Sequence, residues 1–351
     1  MASMGMIFCT TLARIRSILS SVMRRLLNTI LCSLLLTGCQ SSEDLASKSW
    51  FQPSAKVKVL ATTEIIGDLV KRVGGDQVDV LVLIRGELDP HSYQLVKGDD
   101  EKIRFADLIF YNGLGLEHGP SIHGALKNSP NAVALGDEIQ KRHPERILYD
   151  QGQVDPHLWM DVSLWAEAVP VVRESLEKKT RGSFHQREAA TKQELMGLHQ
   201  WMKSEMEQLH PCLRYLVTSH DAFNYFARTY LADRGETEAE WRKRFKAPEG
   251  LAPESQISLS HIQEILSHLL NNEITVLFPE SNISQDSIKK LVNAASENGL
   301  EVTIADSPLY GDAMGSPGSG AETYQGMMKH NVQTITRNLQ HTNPTACRTE
   351  R

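Results

Sequence analysis

The chain has 351 residues, 41% of them apolar and 23% charged, ordinary globular usage for a core of about two domains at roughly 150 residues each. Its net charge of −6 provides no basic excess for nucleic acid, which is excluded as a partner. A mildly acidic surface suits small cations, though six charges over this length say little by themselves.

In chain order, Arg24 and Arg25 precede a mostly apolar run from Leu26 to Leu36, and then come Thr37, Gly38 and Cys39. Basic, then apolar, then small is the layout of a secretory signal. The run is shorter than the ~20 residues a membrane span needs. A cysteine after Leu-Leu-Thr-Gly resembles the bacterial lipobox. Residues 1–38 are therefore expected to be a signal peptide, with Met23 as an alternative start that gives ordinary proportions. Cys39 becomes the lipidated first residue, and 39–55 a polar tether holding an exported protein to a membrane. The competing reading is a short buried helix at a globular N-terminus. Of the five cysteines, only Cys212 and Cys347 lie in the mature body, and no CxxC pair occurs. Export would permit a bridge between those two, which sequence alone does not establish.

From residue 56, strands and helices alternate. Val57–Thr62 reads as a buried strand, Glu64–Val73 as a helix, Val78–Ile84 as a strand and Val96–Ala106 as a helix. Asp107–Tyr111 is a strand, Leu116–Leu126 a helix and Ala132–Leu135 a weak strand. Residues 184–210 differ: Leu195, Leu198, Met202, Met206 and Leu209 form one apolar stripe at helical spacing, which Pro211 ends. The alternation resumes with strand Arg214–Thr218, helix Ala222–Leu231 and a charged stretch from Asp233 to Pro253, read as a surface insertion. Helix Ser260–Leu270, strand Ile274–Phe278, helix Gln285–Ser296, strand Glu301–Ala305 and helix Tyr324–Leu339 complete it. The expected fold is α/β: a lobe over 56–183 and another over 211–345, each a parallel sheet flanked by helices, joined by one long rigid helix over 184–210. Ligands in such folds bind beyond the strands' carboxyl ends or between lobes.

Asp-Pro-His occurs twice, at 89–91 and 155–157. Proline stiffens the approach to each histidine, and a metal site needs ligands held before the ion arrives. The aspartates could orient the loop or the imidazole. His220 follows the strand ending near Thr218, and Asp312 lies in the loop after the strand ending near Ala305. His91, His157, His220 and Asp312 are thus the candidate metal ligands, two per lobe. Three imidazoles and one carboxylate suit zinc, manganese(II) or iron(II), and no thiolate favours copper(I). Asp306 is the weaker choice in the last loop. Glu280 reads as a solvated loop acid more than as a support for the site. His118, His123, His261, His268 and His330 fall on predicted helices as surface or helix-end residues, and Trp159 and Tyr93 as packing around the site.

Leu88-Asp-Pro-His-Ser-Tyr93, with Ala106-Asp-Leu-Ile-Phe-Tyr-Asn-Gly-Leu-Gly-Leu-Glu117, resembles the signature of the cluster A-I solute-binding proteins, the zinc, manganese and iron receptors of bacterial ABC importers. Asp155-Pro-His-Leu-Trp-Met-Asp161 is similar to the family's second ligand motif and Thr218-Ser-His-Asp-Ala-Phe-Asn-Tyr-Phe226 to its third. Leu309–Gly315 with Tyr324-Gln-Gly-Met-Met-Lys-His-Asn331 resembles the last ligand loop and closing helix. The match spans about 56–340. The histidine at 220 and the Asp-Ala-Met-Gly loop look closest to the treponemal and chlamydial branch.

The resemblance implies a receptor that captures one divalent transition-metal ion between two lobes and delivers it to a permease with an ATPase partner. It places the ligands at the same four residues. A monomer is expected, and no enzyme. The acidic His-rich loop of dedicated zinc receptors is missing, which leaves manganese and iron open beside zinc. The rival reading is a secreted zinc metallohydrolase, but catalytic zinc keeps a position open for water, whereas four protein ligands close a tetrahedral site. A surface adhesin is a third reading, without a marked partner-binding patch.

Overall fold

The computed structural model describes residues 48–252, 259–342 and 347. The expected signal peptide, Cys39 and the first part of the tether lie outside them. Four strands form the first sheet: β1 (Val57–Ala61), β2 (Val78–Val82), β3 (Leu108–Tyr111) and β4 (Ala132–Ala134), in the order β2-β1-β3-β4, all parallel. Every residue of β1 is buried, the pattern of a central strand covered on both faces. Its one charge, Lys58, places Nζ 2.6 Å from Asp79 of β2.

Helices α1 (Glu64–Gly74), α2 (Asp99–Phe105), α3 (Pro120–Lys127) and α4 (Leu135–Arg142) connect or follow these strands. Thr63 caps α1 by accepting from the Ile66 amide, with Glu64 in the first turn to suit the helix dipole. An antiparallel hairpin of β5 (Tyr149–Asp150) and β6 (Gln153–Val154) leads to α5 (Ala168–Lys179) and then to α6 (His185–Glu207), 23 residues long. The predicted stripe is the buried face of α6: Leu195, Leu198, Met202 and Met206, with Leu209 beyond its end.

In the second lobe β7 (Leu216–Val217) pairs in parallel with β8 (Phe245–Lys246), and β9 (Val276–Leu277) with β10 (Thr303–Ile304). The Phe278 amide donates to Val217 O at 2.9 Å, joining the pairs in the order β8-β7-β9-β10. Helices α7 (Leu259–Asn272), α8 (Asp286–Glu297) and α9 (Tyr324–Leu339) complete the lobe. Val217, Ile265, Leu269, Leu277, Ile288 and Leu291 pack as its own core. Helix α6 packs against α1, α5 and α9. Cys212 and Cys347 are disulfide-bonded. No helix among the described residues is long and apolar enough to cross a membrane.

The stretch from Asp233 is not a surface insertion. It supplies β8 and buries Trp241, Phe245 and Ala247. It also buries the charge of Arg244, which grips Glu236 while donating to Pro211 O at 2.8 Å. Helices α4 and α5 and the β5–β6 hairpin were not anticipated. The helix expected from Leu116 begins at Pro120, and the one expected from Val96 begins at Asp99, whose carboxylate accepts from the Val96 amide at 2.9 Å. The helix expected over Ala222–Leu231 is a short α-turn that passes into a π-turn over Ala227–Leu231.

Candidate metal centre

Each Asp-Pro-His segment folds as a turn in which the aspartate binds the backbone two residues on. Asp89 Oδ1 accepts from the His91 amide at 2.8 Å, and Asp155 Oδ1 from the His157 amide at 2.9 Å. Asp155 Oδ1 also lies 2.8 Å from His157 Nδ1. A carboxylate only accepts, so Nδ1 carries the proton and Nε2 presents its lone pair. Asp89 instead accepts from Ser92 Oγ at 2.6 Å. The second loop is held further: Asn112, beyond β3, donates to Pro156 O at 3.0 Å, and Asn224 to Asp155 Oδ2 at 3.1 Å.

His220 and Asp312 arrive from the other lobe. The β7–β8 pairing continues as a bridge between His220 and Glu249, and the β9–β10 line as a bridge between Glu280 and Leu309. Glu280 Oε1 accepts from the His220 amide at 2.9 Å, and its Oε2 lies 2.7 Å from His220 Nδ1 as an ion pair without straight hydrogen-bond alignment. Trp159 Nε1 donates to Gly311 O at 2.9 Å, and the Tyr324 hydroxyl to Trp159 O at 2.5 Å, anchoring the Asp312 loop to the first lobe.

All four predicted residues are brought together and buried. His91 Nε2 and His157 Nε2 stand 3.2 Å apart. Asp312 Oδ2 is 3.2 Å from His220 Nε2 and 3.6 Å from His91 Nε2, while Oδ1 is 3.5 Å from His157 Nε2. Bonds of roughly 2.0–2.1 Å to a tetrahedral zinc would set neighbouring donors about 3.3–3.4 Å apart. These spacings therefore fit one ion among four donors. His220 Nε2 and both Asp312 oxygens are buried without a hydrogen-bond partner, a state that needs a compensating cation or proton. Burial opposes charge on His220, yet Glu280 and Asp312 hold its pKa well above the ordinary 6.5. Burial likewise opposes ionisation of Asp312, but His220 holds that carboxyl well below 3.8. His220 thus sits between the side chains of Asp312 and Glu280, both of which favour its charged form.

Other expectations resolve differently. Glu280 is no solvated loop acid: it is buried against His220. Its position one residue past Pro279, as His91 and His157 follow Pro90 and Pro156, was the available signal. Asp306 faces Arg337 at the surface. His123, His261, His268 and His330 lie on helices as expected, but His118 is in the loop before α3, its ring 5.8 Å from that of His91. The Tyr93 hydroxyl donates to Asp99 at the start of α2.

A profile of the family described as zinc-uptake complex component A, periplasmic (ZnuA), matches residues 59–338. The chain belongs to that family. Among proteins similar to this ZnuA-family chain, the metal-binding protein YtgA of Chlamydia trachomatis is 36% identical over 311 residues, covering 87% of this chain and 93% of YtgA. The crystal structure of Fe(III)-bound YtgA superposes with a TM-score of 0.76, covering 82% of this chain and 99% of that one. The periplasmic zinc-binding protein TroA of Treponema pallidum superposes with a TM-score of 0.72 at 34% identity, covering 81% and 99%. The manganese-binding lipoprotein MntA of Bacillus subtilis is 33% identical over 309 residues, 87% of this chain and 95% of MntA. The first two are the chlamydial and treponemal relatives to which the ligand motifs pointed.

Proposed function

We propose that this ZnuA-family protein captures one divalent transition-metal ion, manganese, zinc or iron, and delivers it to the permease of an ABC importer with its ATPase subunit. His91, His157, His220 and Asp312 are the proposed ligands. The observation that carries this reading is the spacing of their donor atoms, 3.2 to 3.6 Å, at a buried point supplied equally by the two lobes. Such a set holds an ion on all sides and leaves no position for a reacting water, which favours carriage over turnover. The relatives' names span iron, manganese and zinc. Intrinsic affinity for three imidazoles and one carboxylate follows the Irving–Williams order, so zinc binds tightest and supply decides the cargo. We read the protein as an exported monomer at the periplasmic face, held to a membrane by lipid on Cys39; a lipoprotein relative supports the anchor.

Elemental mass spectrometry on the purified protein tests the reading. One equivalent of metal in the parent, lost or greatly weakened in His91→Ala and in Asp312→Ala, is the expected result. An absence of bound metal after loading with zinc, manganese and anaerobic iron would overturn it.

A further inference from the structure

The Asp312 loop, residues 309–315, is tied to its own lobe on both sides. The Leu309 amide donates to Pro279 O at 2.8 Å, the Tyr310 amide to Asn331 Oδ1 at 2.9 Å and the Gly315 amide to Ala321 O at 2.9 Å. Between those ties, Gly311 O crosses to the first lobe and accepts from Trp159 Nε1 at 2.9 Å. We propose that Trp159 is a positioning residue for Asp312, and that its hydrogen bond to Gly311 sets how fast the bound ion leaves; this rests on the metal-binding reading above.

Gly311 O and the Asp312 amide belong to one planar peptide unit, so fixing that oxygen fixes the plane from which the Asp312 side chain departs. Trp159 is itself held. The Tyr324 hydroxyl donates to its carbonyl at 2.5 Å, and its ring packs edge-on against that of His157, the centroids 5.4 Å apart at 70°. One indole thus touches a proposed ligand of the first lobe and the loop that carries a proposed ligand of the second. The bond is also shielded. Trp159 is 3% exposed and Gly311 is buried, so opening it leaves a donor and an acceptor unpaired away from water. Withdrawal of the loop would remove the one carboxylate of the four proposed ligands, and three neutral imidazoles hold a divalent cation less well.

Stopped-flow mixing of the Co²⁺-loaded full chain with EDTA reads the dissociation rate from the visible bands of the bound ion, on folded protein. In Trp159→Phe, which keeps a ring and loses the N–H, dissociation should be about three- to tenfold faster, the worth of one hydrogen bond, with one Co²⁺ per chain still bound at saturation. Benzothienylalanine at position 159, which keeps the shape of the indole without the N–H, should give the same acceleration. Trp241→Phe, which removes another buried indole, should leave the rate unchanged. An unchanged rate in Trp159→Phe overturns the proposal. A fast Trp159→Phe beside a benzothienylalanine protein at the parent rate overturns it too, since ring packing on His157 is then responsible. Equal acceleration in Trp241→Phe does the same, because it marks general loosening. A parent that takes up no Co²⁺, Zn²⁺ or Mn²⁺ sinks the metal-binding reading itself, a result distinguishable from these.

Discussion

Glu280 and Asp312 favour a proton on His220, at the point where the proposed ion would bind. The raised pKa of His220 and the depressed one of Asp312 make the metal-free pair a stabilising contact with a defined pH window. The His220 contribution is complete below its unfolded value of 6.5 and fades as pH rises through the raised folded pKa. The Asp312 contribution is complete above 3.8 and fades as pH falls through the depressed one. Metal-free protein should therefore lose stability in denaturant titrations on both sides of that window. Metal uptake reverses the sign at the alkaline end, because the ion must displace the proton. Zinc affinity should rise with pH until His220 is neutral, and calorimetry in buffers of differing ionisation enthalpy should register about one proton released per ion near neutrality. Glu280→Gln lowers the His220 pKa and should flatten that dependence. Gly311 is set by the same contact: a Cβ there would stand 2.3 Å from Glu280 Oε2 and 3.2 Å from the His220 ring. Gly311→Ala should cost about 1–3 kcal/mol in urea unfolding and weaken zinc binding, because Glu280 or the Asp312 loop has to move.

Among the elements, the turn over 220–231 does the most to join the halves of the centre. It begins with one proposed ligand, His220, and its Tyr225 hydroxyl donates to Asp155 O at 3.0 Å while accepting from the Leu148 amide at 3.0 Å. Asn224 reaches the Asp155 carboxylate that orients His157. Tyr225→Phe should cost about 1–2 kcal/mol by orphaning a buried amide, and loosen metal binding through His157 rather than His220. Much of this was legible. Repeated Asp-Pro-His announced two candidate ligands because proline and an aspartate turn act locally, and α9 was readable from its own period. The strands of the second lobe are two residues long, too short to show alternation, so β8 was lost inside a charged stretch. Helix α5 carries Pro170 in its first turn, where proline is tolerated but reads as a breaker. Glu280 looked solvated because the cation that justifies burying it comes from a different strand end.

At the scale of the whole molecule, α6 is packed along its length by helices of both lobes, which suits small local movement rather than wide hinge closure. Small-angle scattering should show little change in radius of gyration between metal-free and zinc-loaded protein, the differences concentrating around His220 and Asp312. The Cys212–Cys347 bond spans a sequence separation of 135. Cys212→Ser with Cys347→Ser should lower stability by about 2–5 kcal/mol in denaturant, chiefly by freeing the unfolded chain. The donors at positions 91, 157, 220 and 312 meet only when both sheets and the helix between them are in place. An unfolded chain thus has no four-donor site to offer, and loading has to follow folding. On the proposed reading, the first ion held is then drawn from the surroundings in which the chain folds.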